Sequence, residues 1–101
     1  MERLTQKLPK GGYQAKADAS FVLERLGRLE DLYDALTAER DKIAARMEEL
    51  RSQGKVKTAA YQQNMAHKLM LQGLMDRMDL YAGETPGAKK QAGFKRKTRR
   101  S

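Results

Sequence analysis

Five apolar residues at intervals of seven, Val22, Leu29, Leu36, Ile43 and Leu50, set the tightest limit on how this chain can fold. Leu26, Tyr33, Arg40 and Met47 fill a second seam position, each three residues before the next member of the first set. At 100° per residue all nine fall within about 120° of arc on an α-helix. Glu24, Asp31, Asp34, Asp41 and Glu49 fall on the opposite face. The spacing therefore predicts an amphipathic helix over 18–52. Asp18 or Ser20 can cap its start by accepting a backbone N–H, and Gly54 can take the left-handed conformation that closes its end. Gly27 sits on the solvent face, where it costs about 1 kcal/mol relative to Ala. Arg40 is the one charged residue of the seam. Its stem can lie along the interface with the guanidinium reaching water past Leu71, or it can fix the register of the pairing.

Residues 53–57 form a short turn, and a second helix follows over 58–82. Thr58 is its N-cap, Gly83 suits the C′ position, and Pro86 lies just beyond. The seam expected for this helix is Ala60, Asn64, His67, Leu71, Leu74, Met78 and Tyr81, spaced by four and three. A short loop forces the two helices antiparallel. Leu50 should then face Ala60, Ile43 face His67, Leu36 face Leu74 and Leu29 face Tyr81. Two apolar groups are left over. Phe21, Val22 and Leu26 project past the shorter second helix, and Tyr61, Met65, Leu69 and Leu80 form a spare face. These seven are the expected partner-binding residues, because two helices alone rarely hold a stable core. Met65, Met70, Met75 and Met78 make the second helix rich in thioethers, which suit either an adaptable surface or core filling.

The expectation is an all-α fold, a coiled-coil-like antiparallel two-helix hairpin over 18–82 that can dimerise into a four-helix bundle, with disordered basic tails. Residues 1–17 contain Pro9, Gly11 and Gly12 without an apolar period and read as an irregular arm. Residues 83–101 are rich in Gly, Lys and Arg and read as disordered. With 101 residues there is room for one domain. The mean hydropathy of −0.82 and 34% charged residues mean that a core exists only if the apolar residues are well placed.

The net charge of +8 is unevenly spread. Residues 1–16 carry four basic residues against Glu2, and residues 83–101 carry seven against Glu84. Between them, residues 17–82 hold ten basic and eleven acidic residues. The body is close to neutral and the tails hold the excess. Lys89, Lys90, Lys95, Arg96, Lys97, Arg99 and Arg100 crowd the last thirteen residues around Phe94. Lys and Arg neutralise phosphates and release counterions, and an aromatic ring can stack on an unpaired base. These eight residues are the expected nucleic-acid-binding set. A solubilising tail without a fixed partner is the alternative.

Catalytic and metal chemistry have little to draw on. The absence of Cys removes disulfides, thiolate ligands and a Cys nucleophile. There is no P-loop and no metal-binding His pair. His67 is the sole imidazole, and the pattern places it inside the helix interface. Glu30, Asp31 and Asp34 read as a solvated helix face. The expectation is a non-enzyme with no cofactor, no metal and no membrane role. No apolar h-region precedes residue 17 and no run approaches the roughly 18 residues that span a bilayer, so a cytoplasmic protein is expected.

The opening residues MERLTQKLPKGGY resemble the start of small proteins encoded by prophages and other mobile elements of Firmicutes. The likeness continues more loosely through ERLGRLEDLYDALTAERDKIAARMEELRSQGK in the first helix. It covers about the first half of the chain. The resemblance implies a phage or mobile-element setting in a bacterial host. It transfers no catalytic or binding residues. Within that setting the expected function is a non-catalytic binding protein that contacts DNA or RNA through its basic tail. The alternatives are an anti-CRISPR-type, protein-directed inhibitor of a host nuclease or defence complex, and a coiled-coil assembly protein.

Overall fold

The computed structural model describes residues 1–86. Two short strands, β1 (Thr5–Lys7) and β2 (Tyr13–Ala15), precede two helices, α1 (Ala19–Ser52) and α2 (Ala59–Ala82). At 1.5 Å per residue, α1 is about 51 Å long and α2 about 36 Å. The two helices pack antiparallel against each other, with α1 extending past the end of α2.

The bend between the helices is built from backbone hydrogen bonds. Gly54 has φ +72°, a left-handed conformation that an L side chain resists. That conformation lets the Gly54 N–H donate to the Arg51 carbonyl at 3.0 Å and the Lys55 N–H donate to the Leu50 carbonyl at 2.8 Å. This pair of bonds is a Schellman motif and satisfies carbonyls that the helix end would otherwise leave open. Thr58 then starts α2: its Oγ1 accepts from the Tyr61 N–H at 3.3 Å and donates to the Lys55 carbonyl at 2.6 Å. Asp18 occupies the N-cap of α1 through its backbone carbonyl, which accepts from the Phe21 and Val22 N–H groups.

The core lies at the bend end. Ile43, Met47 and Leu50 of α1 are buried with Tyr61, Leu71 and Met75 of α2, and Leu36 and Met65 pack against this cluster. The α1 stripe is the one its heptads predict. Burial along it fades with distance from the bend: Leu36 and Tyr33 are half-buried, while Leu29 and Leu26 are exposed.

The α2 stripe differs from the sequence expectation by a rotation of about one residue. Tyr61 is 4% exposed and Met65 is half-buried, so neither belongs to a spare face. Ala60, His67, Leu74 and Tyr81, expected in the seam, are exposed, and Leu74 is 47% exposed instead of covered by Leu36. Asn64, Leu71 and Met78 are common to both stripes and are buried or half-buried. The observed rotation encloses Tyr61, Met65 and Met75 in place of Ala60, His67 and Leu74. It buries more apolar surface and spares an imidazole from desolvation. The buried phenol also keeps a partner, since Arg51 Nη2 donates to Tyr61 Oη at 3.0 Å.

Polar bonds record the register along one side of the interface. Tyr33 Oη donates to Asp79 Oδ2 at 3.1 Å, Arg40 Nη1 to Gln72 Oε1 at 2.9 Å, and Arg51 Nη2 to Tyr61 Oη. In each pair the two residue numbers add up to 112. Gln72 passes the link on, donating to Asp76 at 2.9 Å. The Arg40 guanidinium therefore ends at the interface edge, on Gln72 of α2 and on Asp41. On the other margin His67 Nε2 stands 3.0 Å from Glu39 Oε2.

Residues 1–17 are not irregular. β1 and β2 pair antiparallel, with Thr5 opposite Ala15 and Lys7 opposite Tyr13. The Gly11 N–H donates to the Leu8 carbonyl at 3.0 Å and the Leu8 N–H to the Gly12 carbonyl at 3.1 Å. Pro9 suits the first central position of this turn, and Gly11, at φ +100°, follows it in the positive-φ position of a three-residue hairpin loop. The strands are three residues long and mostly polar, so no apolar alternation marks them in the sequence. Arg25 Nη1 donates to the Glu2 carbonyl at 2.6 Å and ties this hairpin to α1.

Leu71 is 2% exposed at the centre of the interface. Leu71→Ala should cost about 2–4 kcal/mol of unfolding free energy, read from urea unfolding followed by helical circular dichroism. A Cβ at Gly27 or Gly73 would meet nothing within 4 Å. Gly27→Ala and Gly73→Ala should each raise stability by about 0.5–1 kcal/mol, while Gly54→Ala should lower it.

Candidate binding surfaces

The described residues offer apolar surface mainly at the end away from the bend. There the first ten residues or so of α1 have no α2 beside them. About two turns of α1 and the last turn of α2 border a cleft of about 560 Å³. Leu26 and Leu29 of α1 and Met78 and Ala82 of α2 supply its apolar wall. Glu30, Asp34 and Asp79 border it with carboxylates, and Thr85 stands at its lip.

Tyr33 lies in this cleft and closes its inner end. Burial pushes its phenol above the ordinary value of about 10, and the hydrogen bond to Asp79 and that carboxylate's charge push in the same direction. Asp76 adds to the rise and Arg40 opposes it. All but the last favour the neutral phenol, which is the form that can donate to Asp79.

The β-hairpin covers another part of the α1 overhang. Met1, Arg3, Leu4 and Thr5 lie over Val22, Arg25, Leu26 and Leu29 and leave a hollow of about 300 Å³. Leu4 and Val22 are half-buried there. Arg3 also stacks its guanidinium 5.9 Å from the centre of the Tyr13 ring, within the range of a cation–π contact.

Of the seven expected partner-binding residues, Phe21, Leu26, Leu69 and Leu80 are exposed, the last two by 62% and 77%. Val22 is half-buried beneath the hairpin. Tyr61 is buried in the interface, and Met65 is half-buried against the same cluster. Met70, which the sequence offered for either a surface or a core role, is exposed; sequence reasoning missed the exposure of Leu74 and Tyr81 on α2 and of Leu32 on α1. Their signal was present, since Leu74 and Tyr81 were counted, but in the seam. The expected nucleic-acid-binding residues Lys89, Lys90, Phe94, Lys95, Arg96, Lys97, Arg99 and Arg100 lie outside the described residues, as does most of the segment expected to be disordered.

Among the described residues no group of three His, Asp or Glu side chains gathers as a metal site would require. No helix among them is long and apolar enough to cross a membrane. The Met residues divide between the two roles left open by the sequence: Met47 and Met75 fill the core, while Met70 is exposed. No family model, curated protein or solved structure matches the chain.

The raised Tyr33 phenol has a definite pH signature. The stability it contributes is complete below about pH 10 and is lost as pH climbs through its raised value. Ultraviolet difference titration of the wild type against Tyr33→Phe should isolate a tyrosinate component with a midpoint above 10. A midpoint at or below 10 would contradict the buried, Asp79-bonded phenol.

Proposed function

We propose that this chain is a non-catalytic binding protein of a phage or other mobile element, acting in the host cytoplasm and contacting nucleic acid through its basic C-terminal segment. The partition of charge carries this reading. Seven of the 21 basic residues fall in 89–100, with no acidic residue among them, while residues 17–82 are one charge short of neutral. The end of α2 at Ala82, on the open side of the molecule, is consistent with this reading. The composition supports the non-catalytic part. The sole imidazole is paired with Glu39 at the margin of a helix interface, and there is no Cys.

Self-association extends the proposal. Among the described residues the buried apolar core is six side chains, small for a hairpin standing alone. Phe21, Leu26, Leu74 and Tyr81 leave apolar area that a second copy could cover in a four-helix arrangement. Two copies would present two basic segments, and linked contacts of that kind raise avidity without new chemistry.

A second reading rests on the same exposed residues. Leu69, Leu80, Met70 and Tyr81 on α2 would dock on a protein, as in an inhibitor of a host nuclease or defence complex. Titration of duplex and single-stranded oligonucleotides at several salt concentrations separates the two. If all seven tail cations engage duplex DNA, the slope of log K against log salt should be about −6, from about −0.9 for each phosphate neutralised. Replacing the seven with Gln should abolish that binding, and Leu69→Asp with Leu80→Asp should leave it intact. Salt-independent or absent oligonucleotide binding would move the function to a protein target, and growth into large species with concentration would favour a structural coiled coil.

A further inference from the structure

The cleft at the open end has a chemistry that a nearby part of the same chain matches. Its wall is apolar, and its lining residues include Glu30, Asp34 and Asp79 but no Lys or Arg. Asp76 lies close enough on α2 to act on Tyr33, so the acidic field extends further along the helix. A site of this type suits a cationic segment with one apolar anchor. Such a segment follows at once. Thr85 lines the cleft, and residues 87–101 contain seven Lys and Arg, no Asp or Glu, and a single aromatic, Phe94. Phe94 comes eight positions after Pro86. At up to ~3.5 Å per residue, that stretch of chain spans about 28 Å, ample to bring Phe94 back along two turns of helix.

We propose that residues 87–101 dock on this cleft in the free protein. Phe94 rests against Leu26, Leu29, Met78 and Ala82, and the neighbouring Lys and Arg side chains pair with Glu30, Asp34 and Asp79. Ion pairs at an open rim are individually weak and salt-sensitive. The tether offsets this, because a short linker holds the two partners at an effective concentration in the millimolar range. The docking does not depend on what else the segment binds. Where its target is a polyanion, the cleft competes for the same cations and acts as a built-in brake.

Zero-length carbodiimide coupling of amines to carboxylates, applied to the full chain and mapped by peptide mass spectrometry, tests this without any nucleic acid. The expected products join Lys89, Lys90, Lys95 or Lys97 to Glu30, Asp34 or Asp79 within one chain. Their yield should be independent of protein concentration and should fall at least threefold in about 1 M salt, where the screening length shrinks to about 3 Å. Phe94→Ser retains every amine and carboxylate and should lower the yield at least twofold. Links that form only between two copies would overturn the proposal and assign the cleft to a second molecule. Equal coupling of the tail lysines to Glu48 and Glu49 near the bend would also overturn it, as would a yield unmoved by Phe94→Ser.

Discussion

Closure of the hairpin at its bend is the constraint on which the rest of the structure depends. Gly54 in its left-handed conformation turns the chain, and the bonds from Gly54 and Lys55 back to Arg51 and Leu50 complete the end of α1. Thr58 then caps α2 and sets Tyr61 one turn into it, facing Leu50 and Met47. Six buried residues follow from that geometry. Burial is concentrated at one end: the apolar packing is densest where the chain reverses, and toward the other end the Tyr33–Asp79 bond joins the helices beside exposed Leu26 and Leu29. The cleft bordered by Leu29 and Met78 lies at the end away from that buried core.

The polar links show how a small apolar core can coexist with a defined register. Arg40 would be costly inside a dry seam. Here its guanidinium bonds to Gln72 and Asp41 at the interface edge, and Gln72 is bonded onward to Asp76. Tyr33 and Asp79 repeat the motif one heptad away. A one-residue slip of α2 would break these contacts together, so they discriminate between registers even where each adds little stability.

The closed end is occupied by its own packing, and the β-hairpin shelters Val22. Among the described residues, what remains uncovered is the open cleft with its acidic border and the exposed α2 residues Leu69, Met70, Leu74, Leu80 and Tyr81. Residues 87–101 carry seven Lys and Arg and no acidic residue, while Glu30, Asp34 and Asp79 border the cleft, so the two are complementary in charge. Opposite charges on one short chain attract at close range and release as salt or a stronger polyanion competes.

The sequence by itself determined that there are two helices, where each begins and ends, and which stripe of α1 is buried. Heptad spacing, Gly54, Thr58 and Gly83 are local signals, and local signals decide local structure. The partition of charge between body and tails was equally legible, because it requires only counting. Tertiary structure decided the rotation of α2. That helix carries two overlapping apolar stripes, one through Ala60, His67 and Leu74 and one through Tyr61, Met65 and Met75, and both share Leu71. Only packing against Ile43, Met47 and Leu50 selects between them, through the larger area that Tyr61 and the two Met residues bury. The β-hairpin escaped for a different reason: its strands are short and polar, and their pairing rests on the turn at Pro9 to Gly12 and on proximity to α1. The cleft, too, exists only in three dimensions, where Glu30 and Asp79, forty-nine positions apart in the chain, border one space.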